Sequence, residues 1–392
     1  MGKVLILGLY TLEVFVIWYF YIKSLDTSPK AAYDFPQIEI SQTDYIDAIN
    51  PDTGKLTIQG WTRAPNNILY NQSLSTVYWP ILSRTKQWNY FYVVNDNYLV
   101  TMAHANIGVI KSAYVNILDI KDPDKVTETL VKDFFDSYVH IDPIQKGKDL
   151  YSTIVHPELN MTFRPSGGKD VGISINSKTE EHSIIGEFTT ELFKTEGLTV
   201  LQDQSEDGYF HEFNTKVPLE LSGELKLNGK TIMDCTKTTC LGLHDYGRTI
   251  GKYMNSWIWG TTVFRTPSKK SKKKTHKVGI NISLAEKENV ASGTAVFIDD
   301  KLLKLDSLVI KKITDDEWSI KNYQGKSVKY PENQVDLKFK VTGKHKIHDN
   351  FYIVEVDFNS NFGFFSGSIK TKEHDIKFDN KFGFIEEMFS RW

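Results

Sequence analysis

Cysteine is nearly absent: Cys235 and Cys240, in "CTKTTC", are the two in 392 residues. A structural zinc site takes about four ligands, and no second Cys or His pair at finger spacing accompanies them, so no metal is expected. The pair fits either a short disulfide across a hairpin or two thiols, and two thiols are the expectation. Also missing are the glycine-rich dinucleotide fingerprint GxGxxG, the phosphate-binding GxxxxGK, the GxSxG nucleophile elbow and the HExxH zinc helix. The commonest enzyme superfamilies therefore have no support, and no cofactor is expected. Charge of one sign is lacking too: the net charge is −2, which gives no reason to expect nucleic acid as a partner. No tandem repeat of about 20–50 residues is visible, which argues against a solenoid or propeller.

Aromatic residues, by contrast, are abundant: 23 Phe, 19 Tyr and 8 Trp, a richness that suits strands and apolar cavities. Short β-prone runs such as "WNYFYVV", "YLVTMAHA", "VGISIN", "VGINISL" and "FYIVEVDF" recur between turn signals at intervals of about 8–12 residues. That rhythm predicts a mainly β chain, an antiparallel barrel or sandwich. One segment departs from it. "DPDKVTETLVKDFFDSY" places Val126, Leu130, Phe134 and Tyr138 four apart, which predicts a helix near 124–138. The length accommodates two lobes, placed at 46–215 and 216–392, after a polar linker at 24–45 that contains Pro29 and Pro36.

The N-terminus carries a long apolar run, Val4 to Ile22, between Lys3 and Lys23, with Trp18, Tyr19 and Tyr21 at one end. Its length approaches that needed to cross a bilayer, and no small-x-small cleavage site follows. Residues 1–23 are therefore expected to be a single transmembrane helix. The mitochondrial inner membrane is one compartment that fits such an uncleaved anchor. Glu13 lies mid-run, where it is either outweighed by its neighbours or contacts a polar group of another membrane subunit. A basic stretch at 265–277, with Lys269, Lys270, Lys272, Lys273 and Lys274, is expected to be a hairpin loop, either solvated or touching anionic lipid or an acidic partner. The sequons at Asn71, Asn160 and Asn281 are taken as accidental, the last two because they sit in strand patterns.

Three stretches carry a resemblance. They are Gly60, Trp61, Thr62, Arg63 and Pro65; then Asp245, Tyr246, Gly247 and Arg248; and last Gly383, Phe384 and Glu386 with the terminal Arg391 and Trp392. Their order and spacing, over roughly residues 45 to 392, resemble a family of uncharacterised proteins named only as a domain of unknown function. That family is in turn distantly similar to the hydroxyneurosporene-synthase (AttH-like) group. The resemblance implies two lipocalin-like antiparallel β-barrel lobes enclosing an apolar cavity. It does not fix function, because the parent fold hosts carriers as well as hydratases.

The central stretch "CLGLHDYGRTIGKYMNSWIWGTTVF", residues 240 to 264, supports two accounts. In the chemical account Asp245 is a general acid in a dry pocket, His244 or His104 relays protons, and Tyr246, Trp257 and Trp259 face a carbocation. In the structural account Asp245 pairs with Arg248 in a turn, Arg63 and Glu386 join the same network, and Trp61, Trp257 and Trp259 fill a core. The structural account is adopted, and with it a non-enzymatic role: binding a lipid or isoprenoid, or serving as an accessory subunit beside other membrane proteins. The alternative is a membrane-tethered hydratase or isomerase acting on a polyprenyl or fatty substrate. A carrier would hold an apolar cavity without a buried isolated acid; a hydratase would have Asp245 at a cavity wall, unpaired with Arg248.

Overall fold

The computed structural model describes residues 36–41, 46–63, 68–70, 84–108, 110–133, 138–141, 151–166, 170–192, 194–236, 240–268, 271–285, 289–351 and 354–391. All regular structure among them is β. The expected anchor at 1–23, with Glu13, lies outside these residues, as do Lys269 and Lys270. Among the described residues no helix is long and apolar enough to cross a membrane. The expected linker at 24–45 is partly packed: Gln37 and Ile40 are buried, and the Ile40 amide donates to the Trp61 carbonyl.

The strands that position the site are β1 (Thr85–Val94), β2 (Tyr98–Asn106), β3 (Lys111–Asp119), β4 (Asp122–Asp133), β5 (Leu198–Asp203), β6 (His211–Leu227), β7 (Cys240–Ile250), β8 (Met254–Ser268), β9 (Ser271–Ala285), β10 (Gln334–Phe351), β11 (Val354–Lys370) and β12 (Asp375–Arg391). In the first sheet, β4, β3, β2, β1, β7 and β6 lie side by side, and five further strands between Val139 and Glu191 continue the curve. Its ends approach each other, since Lys111 donates to the Val139 carbonyl and Thr129 meets Ser177 at 2.8 Å. It is a nearly closed barrel. The second sheet centres on β9, β8, β12, β11 and β10, all antiparallel, and curls into a half-barrel rather than the second closed barrel implied by resemblance. The first sheet runs on to Ile250, so a lobe boundary at 215/216 would cut through β6.

The helix expected near 124–138 is instead strand β4 as far as Asp133, paired with β3 through Val126↔Leu118 and Leu130↔Tyr114. Four-residue spacing is two strand repeats as well as about one helical turn, so Val126 and Leu130 share a face in either conformation. The β-branched residues between them, Thr127 and Thr129, favour the strand. The basic stretch is also mostly strand: β8 and β9 pair from Trp257↔Ala285 to Pro267↔Thr275, and residues 269–270 lie outside the described residues. Cys235 and Cys240 form a disulfide, not the two thiols expected; they end and begin two successive strand segments that both pair with β6, and their Cα atoms lie 5.2 Å apart.

Alternation sorts side chains into three apolar layers. Phe91, Val115, Phe163 and Val217 fill the barrel, and Ile280, Trp318, Leu337 and Phe365 fill the half-barrel. Between the two sheets lies an aromatic layer of Tyr90, Tyr92, Leu243, Trp259, Phe362, Phe382 and Phe384. Phe384 meets Trp259 at 5.2 Å and Tyr92 at 5.9 Å, both edge-on, the arrangement that aromatic quadrupoles favour.

Candidate acid–base site between the two sheets

Strand β7 has opposite faces of opposite use. His244 and Tyr246 point into the barrel, while Leu241, Leu243 and Asp245 face the aromatic layer. Period-two alternation dictates this split, so the expected relay from His244 to Asp245 is not formed. Arg248 lies on the barrel face, where its guanidinium contacts the Tyr246 hydroxyl. Asp245 and Arg248 belong to a continuous strand, not a turn, and they are not paired.

Asp245 is 5% exposed. Its partner is Lys216, directly opposite on β6, with Nζ at 2.5 Å from Oδ1. The Trp88 indole of β1 donates to the same oxygen at 3.0 Å. Trp88 reaches it by lying across Gly247, where a Cβ would stand 1.9 Å from the indole Cζ2. That is the physical use of the glycine in the Asp-Tyr-Gly-Arg motif.

Strand β8 answers from the other sheet. Trp257 and Trp259 both face the layer, and Ile258 packs on the half-barrel core. The Trp259 ring lies 4.2 Å from Lys216 Nζ, a cation–π contact that spans the two sheets, and its indole donates to Asn281 at 2.8 Å. Asn281 is fully buried, which rules out a glycan there.

Opposite Trp259, on β12, stands Glu386. It shares a face with Phe384 and Phe382, and its Oε1 accepts from the Trp257 indole at 3.2 Å. Glu386, Trp257, Trp88 and Tyr114 are each only partly covered, so the polar centre meets solvent along one edge of the layer. Burial among aromatic rings, with the negative charge of Asp245 nearby, pushes the Glu386 carboxyl up to about 8, against weaker opposing effects of the Trp257 hydrogen bond and Lys216. Burial also raises the Tyr90 and Tyr114 hydroxyls, helped by Glu386 and Asp245, so both remain proton donors. The centre thus holds a carboxylate fixed by a lysine and a tryptophan, and beside it a carboxyl that keeps its proton near neutrality. Two acids in such different surroundings can divide the roles of donor and acceptor.

The remaining expected residues lie elsewhere. Arg63 bonds Glu39 at 3.3 Å and the Leu302 carbonyl at 3.0 Å, and its guanidinium covers Trp61; it does not join Glu386. Trp61 is fully buried in a separate cluster with Leu198, Val200 and Phe297. His104 and His244 are buried in the barrel, where Ser152 and Asn89 link them, and burial lowers both to about 3, which leaves them neutral. Lys272, Lys273 and Lys274 lie in β9. Among the described residues no group of three or more His, Cys, Asp or Glu could hold a metal. Sequence reasoning missed Lys216, Trp88, Tyr90, Tyr114 and Glu212. The polar run Glu212, Asn214, Lys216, all on one face of β6, was the available signal.

Residues 37–392 match the family described as a domain of unknown function, DUF2804. No curated protein matches the chain. Similar solved structures include CghA, at 10% identity and TM-score 0.49, covering 88% of this chain and 96% of that one. Another is kievitone hydratase from Nectria haematococca, at 12% identity and TM-score 0.47, covering 91% and 99%. The expectation of a non-enzymatic carrier or accessory subunit is corrected here. The polar centre holds a carboxyl whose proton is retained by burial, and Asp245 is paired with Lys216 and not with Arg248, so the Asp245–Arg248 clamp on which that expectation was built is not formed.

Proposed function

The chain belongs to the DUF2804 family, and from that and the inter-sheet centre we propose that it is an acid–base enzyme of the hydratase or isomerase class acting on an apolar, alkene-containing substrate. The observation that carries this reading is the partly open Glu386 carboxyl, seated among aromatic rings beside the Lys216–Asp245 pair. Glu386 replaces Asp245 as the acid, because Asp245 Oδ1 is already engaged by Lys216 and the Trp88 indole.

In hydration, the Glu386 proton passes to one alkene carbon and leaves a carboxylate. Positive charge develops on the adjacent carbon, opposite the faces of Trp257 and Trp259. Water adds there, and the proton it loses passes to Asp245. Exchange with solvent at the open edge returns both carboxyls to their starting states, so the net change is addition of one water. Isomerisation uses the same first step, followed by loss of a different proton to Asp245. Aromatic walls select an apolar substrate and exclude bulk water from the cation.

The test is incubation of the purified chain with isoprenoid and unsaturated fatty alkenes in isotopically labelled water, followed by mass spectrometry. Deuterium or labelled oxygen entering one substrate, and its loss in Glu386→Gln, supports the proposal. Turnover that survives Glu386→Gln contradicts it.

A further inference from the structure

A second polar feature adjoins this centre. Strands β5, β6 and β9 enclose a narrow cleft of about 30 Å³, lined by Gln202, Glu212, Asn214, Lys216, Asn281 and Ser283 among others. That volume holds a water or two and nothing larger. Its walls are rich in acceptors. Gln202 is 3% exposed and its Oε1 has no hydrogen-bond partner; Asn214 Oδ1 is likewise buried without one. Buried acceptors left unpaired are costly, so a hydrogen-bond donor belongs in the cleft. The wall does not call for a metal ion or a second cation: Lys216 Nζ stands in it, and burial favours the neutral form of the one carboxyl there, that of Glu212. A neutral donor of this size is water.

Lys216 also ties the cleft to the acid–base centre, since the same Nζ holds Asp245 and covers Trp259. We infer that the cleft at Gln202 and Asn214 is the water site of the enzyme and supplies the water that the reaction adds. This rests on the proposed hydratase chemistry. Water that donates both protons to Gln202 Oε1 and Asn214 Oδ1 turns its lone pairs outward, toward a cation forming near Trp259. Its oxygen bonds to carbon, and the released proton goes to Asp245, as above. Gln202 and Asn214 are then positioning residues: they orient the nucleophile and exchange no proton themselves.

Two measurements test this. A high-resolution crystal structure of the full chain is expected to show ordered water within hydrogen-bond distance of Gln202 Oε1 and Asn214 Oδ1. A dry cleft, or an ion at metal–oxygen distance, overturns the assignment whatever the reaction is. In labelled water, Gln202→Met and Asn214→Leu are each expected to lower oxygen incorporation by about tenfold or more, while deuterium exchange into the alkene stays within about twofold of wild type. Equal loss of both labels in folded variants contradicts a water-positioning role. Exchange that is absent from the wild-type chain itself contradicts the Glu386 assignment and the water's role as reactant, while the crystal density still decides whether the cleft holds water.

Discussion

Glu386 ties stability to pH in a direction opposite to that of most surface carboxyls. Its folded value lies above the ordinary one, at about 8, so below the ordinary value folded and unfolded chains are both protonated there and it contributes nothing. As pH rises from about 4.5 to about 8, the unfolded chain ionises first and stability falls; above about 8 the loss levels off. Glu386→Gln is therefore expected to be neutral near pH 4 and stabilising by roughly 1–3 kcal/mol near pH 9, in chemical denaturation followed at both pH values. The Lys216–Asp245 pair behaves differently. Removing one partner strands the other in a buried place, so Asp245→Asn or Lys216→Met alone should each cost about 3–5 kcal/mol, and the double variant clearly less than the sum. A double-mutant cycle in urea measures the difference; additive losses would show that the pair carries no coupling.

At the scale of the element, β7 explains what was legible and what was not. Its motif residues were visible in the sequence, and so was the face shared by Trp257 and Trp259 on β8. Which groups meet Asp245 was not visible, because Lys216 and Trp88 lie 29 and 157 residues away and reach it only through the register of β6 and β1. A spacing of three between Asp245 and Arg248 suggested a local pair, but a strand sends odd and even positions to opposite faces. The β4 strand was hidden for a related reason, since its four-residue spacing satisfies helix and strand alike. Gly247 offers the test at this scale. Gly247→Ala drives a methyl into the Trp88 ring, so it should cost about 1–3 kcal/mol and displace the indole from Asp245. Trp88 fluorescence read against a Trp88→Phe control checks this; an unchanged spectrum would mean that the ring does not rest on Gly247.

For the molecule as a whole, the alternating aromatic runs were enough to establish a mainly β chain, and the family motifs pointed to a pair of lobes. The function was misjudged because an acid buried between two sheets looks, in one dimension, like an ordinary strand glutamate. Only the packing of Phe384 and Trp257 around Glu386 distinguishes it. The chain also carries a covalent link between two successive strand segments that both pair with β6. Cys235–Cys240 spans a short loop, and its replacement by two serines should lower stability by about 2 kcal/mol, read from the thermal midpoint with and without reductant. No reductant effect on the wild-type midpoint would argue that the bond is absent in solution.

The central claim, that the polar centre between the sheets donates a proton from Glu386, is tested most directly by deuterium uptake. Wild type and Glu386→Gln would be compared on an apolar alkene in deuterated water, across a pH series. The account predicts uptake by the wild type that falls as pH rises through about 8, and none by the variant. Equal uptake by both, or uptake that grows as pH rises through that range, would contradict it.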